Sequence, residues 1–376
     1  MAIVLGGEQA VKWAVGALLV LAYLGWELRR GLDQNVRVGE SEILPTLGLG
    51  TRLTLLRGLF TAMLAGFVFL PQVAGLLAWA PCALYLGVAV ADFFDGYAAR
   101  VSNHATRLGA ALDVAFDALG AITAVSVLVA YGRLPAAFLS VGLVYYIFHG
   151  HMKLRRWRGR PVLPLQSNPY RRMYAGFLFG YFAVALAPVF DPVWIEVGGY
   201  LFVTPVMVGF LIDWLAVTGA LSIESPTWVR FEAAAWTTLY RVTPVVLRAA
   251  LLVAAAAWLT SGLSPEGWTN LLAELGWPAP TLLATGFALA SLTAVGMTAA
   301  GWLARLAALV LVAAACLDAV LRGEPTPEGY ALLLPSIGLL LLGAGRGVLW
   351  RPEDELLLTQ AGSRRCAPAH PERAAA

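Results

Sequence analysis

The sequence predicts an all-α, polytopic membrane protein, and three observations carry that prediction. Of its 376 residues, 59% are hydrophobic and 13% charged, with a mean hydropathy of +0.73. A soluble globular domain carries roughly 25% charged residues, so this chain cannot solvate itself as a water-soluble globule. Apolar runs recur along it at lengths suited to a hydrocarbon core of ~30 Å, which a helix crosses in about 20 residues. The basic residues gather in alternate loops, as the positive-inside rule requires of a multi-pass protein.

The elements follow in order. The first apolar run, 13–26, is flanked by Lys12 and Glu27, and Glu27-Leu28-Arg29-Arg30 reads as a stop at an interface. No small-residue cleavage site follows it, so an uncleaved membrane helix is expected rather than a signal peptide. The stretch 39–50, punctuated by Gly and Pro, reads as an interfacial segment. Six runs then occupy 53–70, 73–90, 108–131, 134–148, 173–189 and 193–215. A polar stretch, 222–238, separates them from four more at 242–259, 281–297, 303–321 and 330–342. The expected fold is about eleven transmembrane helices, a six-helix bundle plus a four-helix C-terminal block. The implied division is 1–38 (helix and connector), 39–221 (six-helix domain), 222–241 (cytoplasmic linker), 242–346 (four-helix block) and 347–376 (polar tail).

Orientation follows from the charges. With 100–107 in the cytoplasm and sides alternating from there, Arg29, Arg30, Arg37, Arg52, Arg57, the cluster 153–160, Arg171, Arg172, Arg230, Arg241, Arg305 and Arg346 fall inside. Lys12, Arg133 and Arg322 are left outside, where the loops carry Asp191, Glu196, Glu266 and Glu274. The N-terminus is therefore expected outside and the C-terminus inside. Arginine far outnumbers lysine, which occurs only at Lys12 and Lys153, and with the many alanines this suggests a GC-rich bacterial genome. A bacterial inner membrane is the expected location. Cys82 and Cys316 lie in apolar runs and Cys366 in the tail, so no disulfide framework is expected. The net charge of +3 singles out no partner, and no nucleic-acid ligand is expected.

The chemistry lies between the second and third runs of the six. Asp92-Phe93-Phe94-Asp95-Gly96-Tyr97-Ala98-Ala99-Arg100 is followed, after eight residues, by Gly109-Ala110-Ala111-Leu112-Asp113-Val114-Ala115-Phe116-Asp117. Spacings of three and four place each aspartate pair on one helix face, and a short reversal between the helices brings the pairs together. Four carboxylates at a membrane boundary repel one another and resist desolvation unless cations compensate them. An oxygen-only ligand set selects a hard ion, Mg²⁺ or Mn²⁺, and such a site is typically completed by substrate phosphates. Gly96, Ala99 and Gly109 are small enough for close approach, and Arg100 offers a fork suited to phosphate oxygens. The plainer alternative, helix-end carboxylates solvated and paired with Arg100 and Arg107, does not account for four in register with small residues between.

These residues resemble the CDP-alcohol phosphotransferase family, whose signature D-x2-D-G-x2-A-R-x8-G-x3-D-x3-D is met at every fixed position. The resemblance implies that Asp92, Asp95 and Asp113 hold metal and that Asp117 is the general base, which also reaches a metal. It implies a cytidine and diphosphate site lined by Gly96, Ala99, Arg100 and Gly109. Thr54 and Arg57, which the resemblance adds to the CDP-binding residues, match a further T-x-x-R element of the family, with Thr51 standing where members often carry Asn. The implied reaction moves a phospho-alcohol group from a CDP-linked lipid donor to an alcohol acceptor, with a homodimer as the family's common state.

Other clusters are less specific. Arg155, Arg171 and Arg172 are candidates for a phosphate on the acceptor, the last two opening a helix after Asn168-Pro169; a positive-inside anchor is the plainer reading. His149 and His151 are expected at the interface, Asp213 in an ion pair with an inner arginine, and Asp318 in packing. The apolar pattern around Gly296–Leu309 is similar to DoxX-like four-helix membrane proteins. It carries no cofactor ligand set, and an accessory role is expected. Acidic residues in membrane helices also mark ion pathways, so a metal or cation transporter is the competing class, and a non-catalytic scaffold a third.

Overall fold

A computed structural model describes residues 6–37, 39–164, 169–261, 265–323 and 326–350. The described residues are helical with no β-strand, as expected. In chain order the helices are α1 (Gly7–Gly31), α2 (Leu49–Ala65), α3 (Ala80–Val101), α4 (Arg107–Ala130), α5 (Leu139–Trp157), α6 (Pro169–Ala185) and α7 (Pro192–Val217). They continue as α8 (Pro226–Thr237), α9 (Thr243–Ser261), α10 (Pro265–Glu274), α11 (Pro280–Ala300), α12 (Ala304–Arg322) and α13 (Pro327–Leu342). Among the described residues, eight helical stretches are long and apolar enough to cross a membrane. The expected figure of about eleven counts three more. Met173–Ala185 and Pro327–Leu342 are apolar but shorter, and α5 carries Lys153, Arg155 and Arg156 toward its end.

Helices α2 to α7 surround a core that includes Leu64, Phe67, Tyr85, Val125, Leu128, Phe138, Phe182 and Phe202. Helix α1 lies against α2 and α4: Leu24 joins Leu108, Leu112 and Phe116, and a Cβ on Gly16 would stand 2.7 Å from the Ala65 carbonyl oxygen. Glycine is needed there because the obstacle is backbone, which cannot swing aside. Helices α9 to α13 form a second core around Trp258, Trp268, Leu311, Leu332 and Leu339. The two halves are in contact: Trp194 stacks on Tyr330 at 3.4 Å, Arg305 lies over the Phe177 ring, and the Tyr174 and Tyr240 hydroxyls meet.

Three local features take a form that the apolar pattern does not specify. The stretch expected as a polar linker is helical: Ser225 caps α8, and a π turn at Thr238–Val242 carries it directly into α9. The stretch 39–50, read as an interfacial segment, carries no helix before Leu49. Asn35 Nδ2 instead donates to the carbonyls of Leu44 and Thr46 and folds it into a compact loop. Arg133, assigned by charge counting to an outer loop, is buried and donates to the carbonyls of Ala185, Ala187 and Phe190 at 2.5–2.6 Å. It satisfies acceptors that the end of α6 leaves open. Cys366 and the tail from 351 onward lie outside the described residues.

Candidate active site

The site is built where α2, α3 and α4 meet. Helix α3 ends at Val101, and Asn103 takes a left-handed φ of 51° to reverse the chain. Thr106 then caps α4, its side chain accepting from the Gly109 amide at 3.0 Å. The reversal is held from outside: Arg107 N donates to Val36 O, and His104 Nε2 lies 3.2 Å from Thr46 O. The loop that follows α1 thus fixes the turn between the two halves of the motif.

The reversal brings both aspartate pairs to one place. Carboxylate oxygens of Asp92, Asp95 and Asp113 all lie within 4.8 Å of one another. Arg57 of α2, 1% exposed, reaches into the cluster. Its Nη1 is 2.9 Å from Asp117 and 3.8 Å from Asp95 and also pairs with Asp92. Its Nη2 is 2.9 Å from the Asp113 carboxylate and 3.0 Å from the Asp113 carbonyl. The Thr54 hydroxyl donates to Asp95 Oδ2 at 2.8 Å. A buried guanidinium is expensive unless paired, and four carboxylates supply that pairing.

The small residues have distinct positions. A Cβ on Gly50 would stand 2.7 Å from the Asp95 carbonyl oxygen and 2.7 Å from Ala99 Cβ, so this contact sets the α2–α3 approach. A Cβ on Gly109 would stand 3.2 Å from Thr51 Oγ1, so Ala99 and Gly109 both face α2. Gly96 is half-buried, and Arg100 folds back over it, with Nη1 3.0 Å from where a Cβ would be. All six candidate donor-binding positions, Gly96, Ala99, Arg100, Gly109, Thr54 and Arg57, therefore lie on the three helices that meet at the aspartates.

The basic candidates for an acceptor phosphate lie elsewhere. Arg155 donates to the carbonyls of Pro161 and Thr218 at 3.0 and 3.1 Å. Arg171 pairs with Asp213 at 2.5 Å, the ion pair expected for that aspartate. The side chain of Arg172 is outside the described residues. Asp318 is buried and holds Trp268 Nε1 at 3.0 Å and Arg322 Nε at 2.7 Å, which is a packing role. Sequence reasoning passed over Gly50 and the role of Arg57 as common partner of all four aspartates. The signal for Arg57 was present in the T-x-x-R spacing, which puts Thr54 and Arg57 on one face of α2.

An oxygen-only set of three clustered carboxylates, with a fourth bound to the same arginine, suits a divalent hard cation. One guanidinium does not neutralise four carboxylates, so the donor set fits such an ion.

The comparison with protein families agrees with the motif. Residues 48–221 match the family model described as CDP-alcohol phosphatidyltransferase. No curated protein and no solved structure matches the chain. The matched stretch runs from the residue before α2 to just beyond α7 and contains every aspartate of the cluster. Residues 48–221 are a CDP-alcohol phosphatidyltransferase domain, and the chain is a membrane transferase of substituted phosphate groups that acts in phospholipid head-group transfer from a CDP-alcohol.

Proposed function

We propose that the protein transfers a phosphatidyl group from a CDP-alcohol of the CDP-diacylglycerol type to the hydroxyl of an alcohol acceptor, releasing CMP. The observation that carries this reading is the convergence of Asp92, Asp95, Asp113 and Asp117 on Arg57. Asp92, Asp95 and Asp113, joined by Asp117, would hold Mg²⁺ or Mn²⁺. When bound, the metal neutralises charge on the diphosphate and on the departing CMP. Arg100, folded over Gly96, offers its fork to phosphate oxygens. Asp117 accepts the proton of the acceptor hydroxyl as that oxygen attacks the lipid-side phosphorus. Arg57 and Thr54 hold the carboxylates in place, so that positioning supplies much of the rate.

The positive-inside pattern supports a site on the cytoplasmic side of a bacterial inner membrane. Helices α9, α11, α12 and α13 form an accessory block packed on α6 and α7, and a division at about residue 222 follows the end of the matched domain. A homodimer is the assembly we expect.

The test is CMP release by purified protein in detergent, with CDP-diacylglycerol, Mn²⁺ or Mg²⁺, and a pool of alcohols. Metal-dependent release is expected, falling about 10²–10⁴-fold in Asp117→Asn while donor binding persists. Absence of donor binding would replace the transferase with the transporter or scaffold.

A further inference from the structure

Beside Asp117 lies a second polar cluster built by helices that flank the motif. Helix α1 packs its Leu24 against Leu112 and Phe116 of α4, residues interleaved with Asp113 and Asp117. Tyr23 and Glu27, one turn apart on α1, are thereby carried to the level of the site, both half-buried. Helix α5 approaches α4 from another side: a Cβ on Gly142 would stand 2.5 Å from Ile122 Cα. The two helices are antiparallel, so one turn further along α5, at Tyr145 and Tyr146, corresponds to one turn back on α4, at Asp117. Tyr145 is accordingly an electrostatic neighbour of both Asp117 and Glu27, and Tyr146 of Tyr23 and Glu27. Tyr145 and Tyr146 rings meet at 5.3 Å and 85°, and His149 lies 4.1 Å from the Tyr145 ring. His149 Nδ1 is 3.0 Å from the Tyr145 carbonyl, which can only accept, so Nδ1 carries a proton there.

A carboxylate among tyrosine rings is chemistry that recognises an organic cation. Arg155 and Arg171, which a phosphate-bearing acceptor would call on, are already paired with carbonyls and with Asp213. We propose that Glu27, Tyr23, Tyr145 and Tyr146 form the acceptor site and that the acceptor is an amino alcohol bound through its ammonium group. This rests on the transferase reading and names its acceptor class. In the step it implies, the acceptor oxygen bonds to the lipid-side phosphorus and the phosphorus–oxygen bond to CMP breaks. The hydroxyl proton passes to Asp117, and the ammonium stays on Glu27 unchanged. Helix α1, which lies outside the matched stretch 48–221, thus supplies part of acceptor recognition.

The test compares ethanolamine with its uncharged counterpart ethylene glycol, and with glycerol 3-phosphate and inositol phosphate, in the CMP-release assay. Expected is release with ethanolamine, at least about tenfold weaker with ethylene glycol. Glu27→Gln should raise KM for ethanolamine about tenfold with kcat within about twofold, the signature of lost ground-state binding. Tyr146→Leu should raise KM while Tyr146→Phe retains the ring and most of the affinity, which keeps the test valid if Glu27→Gln does not fold. Release with phosphate-bearing or uncharged alcohols at a KM indifferent to these variants would overturn the acceptor assignment and leave the transferase standing. Donor binding without release from any alcohol would overturn both.

Discussion

Replacing Arg57 by methionine should destabilise the protein in a way that a divalent cation repairs. Methionine preserves much of the length and the apolar stem of the side chain but removes the charge that pairs with Asp92, Asp95, Asp113 and Asp117. Removing one partner of a buried ion pair costs about 3–5 kcal/mol, because the other is left uncompensated. The Asp113 and Asp117 side chains are 44% and 39% exposed, and water takes up part of their charge. The lower end, about 3 kcal/mol, is therefore the expected loss. At about 2–4 °C per kcal/mol for a large domain, Tm should fall by ~6–12 °C in detergent with EDTA. A bound Mg²⁺ or Mn²⁺ brings two positive charges to the same carboxylates and no longer faces the guanidinium. At a hundred times its Kd, an ion contributes about 2.7 kcal/mol, enough to close most of the gap. The assay is thermal unfolding of wild type and Arg57→Met in EDTA and across a Mg²⁺ titration. An Arg57→Met protein that melts within about 2 °C of wild type in EDTA, or a deficit that metal does not narrow, would refute the reasoning.

Two further outcomes follow from packing. Gly50→Ala places a methyl group against the Asp95 carbonyl and Ala99, both fixed on α3. Overpacking of this kind costs about 1–3 kcal/mol, and the displaced carboxylate should lower kcat, measured as CMP release by protein that still elutes as a single species. Arg133→Met leaves the carbonyls of Ala185, Ala187 and Phe190 without their donor. A Tm loss equivalent to about 3 kcal/mol or more is expected, with the kcat of the folded fraction unchanged; unchanged Tm would show that water replaces the side chain.

The extent to which the site was legible differs by residue. The aspartates, Gly96 and Arg100 could be read because their spacing is local: three, four and a short reversal fix which groups share a face before any tertiary contact is known. The fate of arginines could not be read that way. Arg57, Arg133, Arg155 and Arg171 look alike in a charge count, yet one binds four carboxylates, two serve backbone carbonyls and one pairs with Asp213. Apart from Pro161, six residues from Arg155, their partners lie 35 to 63 residues away in the chain, at helix crossings that the apolar pattern does not specify.

By itself the sequence determined the helical membrane class, the apolar runs and the paired carboxylates, because hydropathy and helical period are properties of contiguous residues. The tertiary structure decided which charges meet. Gly50, Gly16 and Gly142 let α2 approach α3, α1 approach α2, and α5 approach α4 to backbone contact. Those approaches put Arg57 among the aspartates and bring Tyr145 within electrostatic reach of Asp117, since charges in a low-dielectric bundle act only on what the packing places beside them.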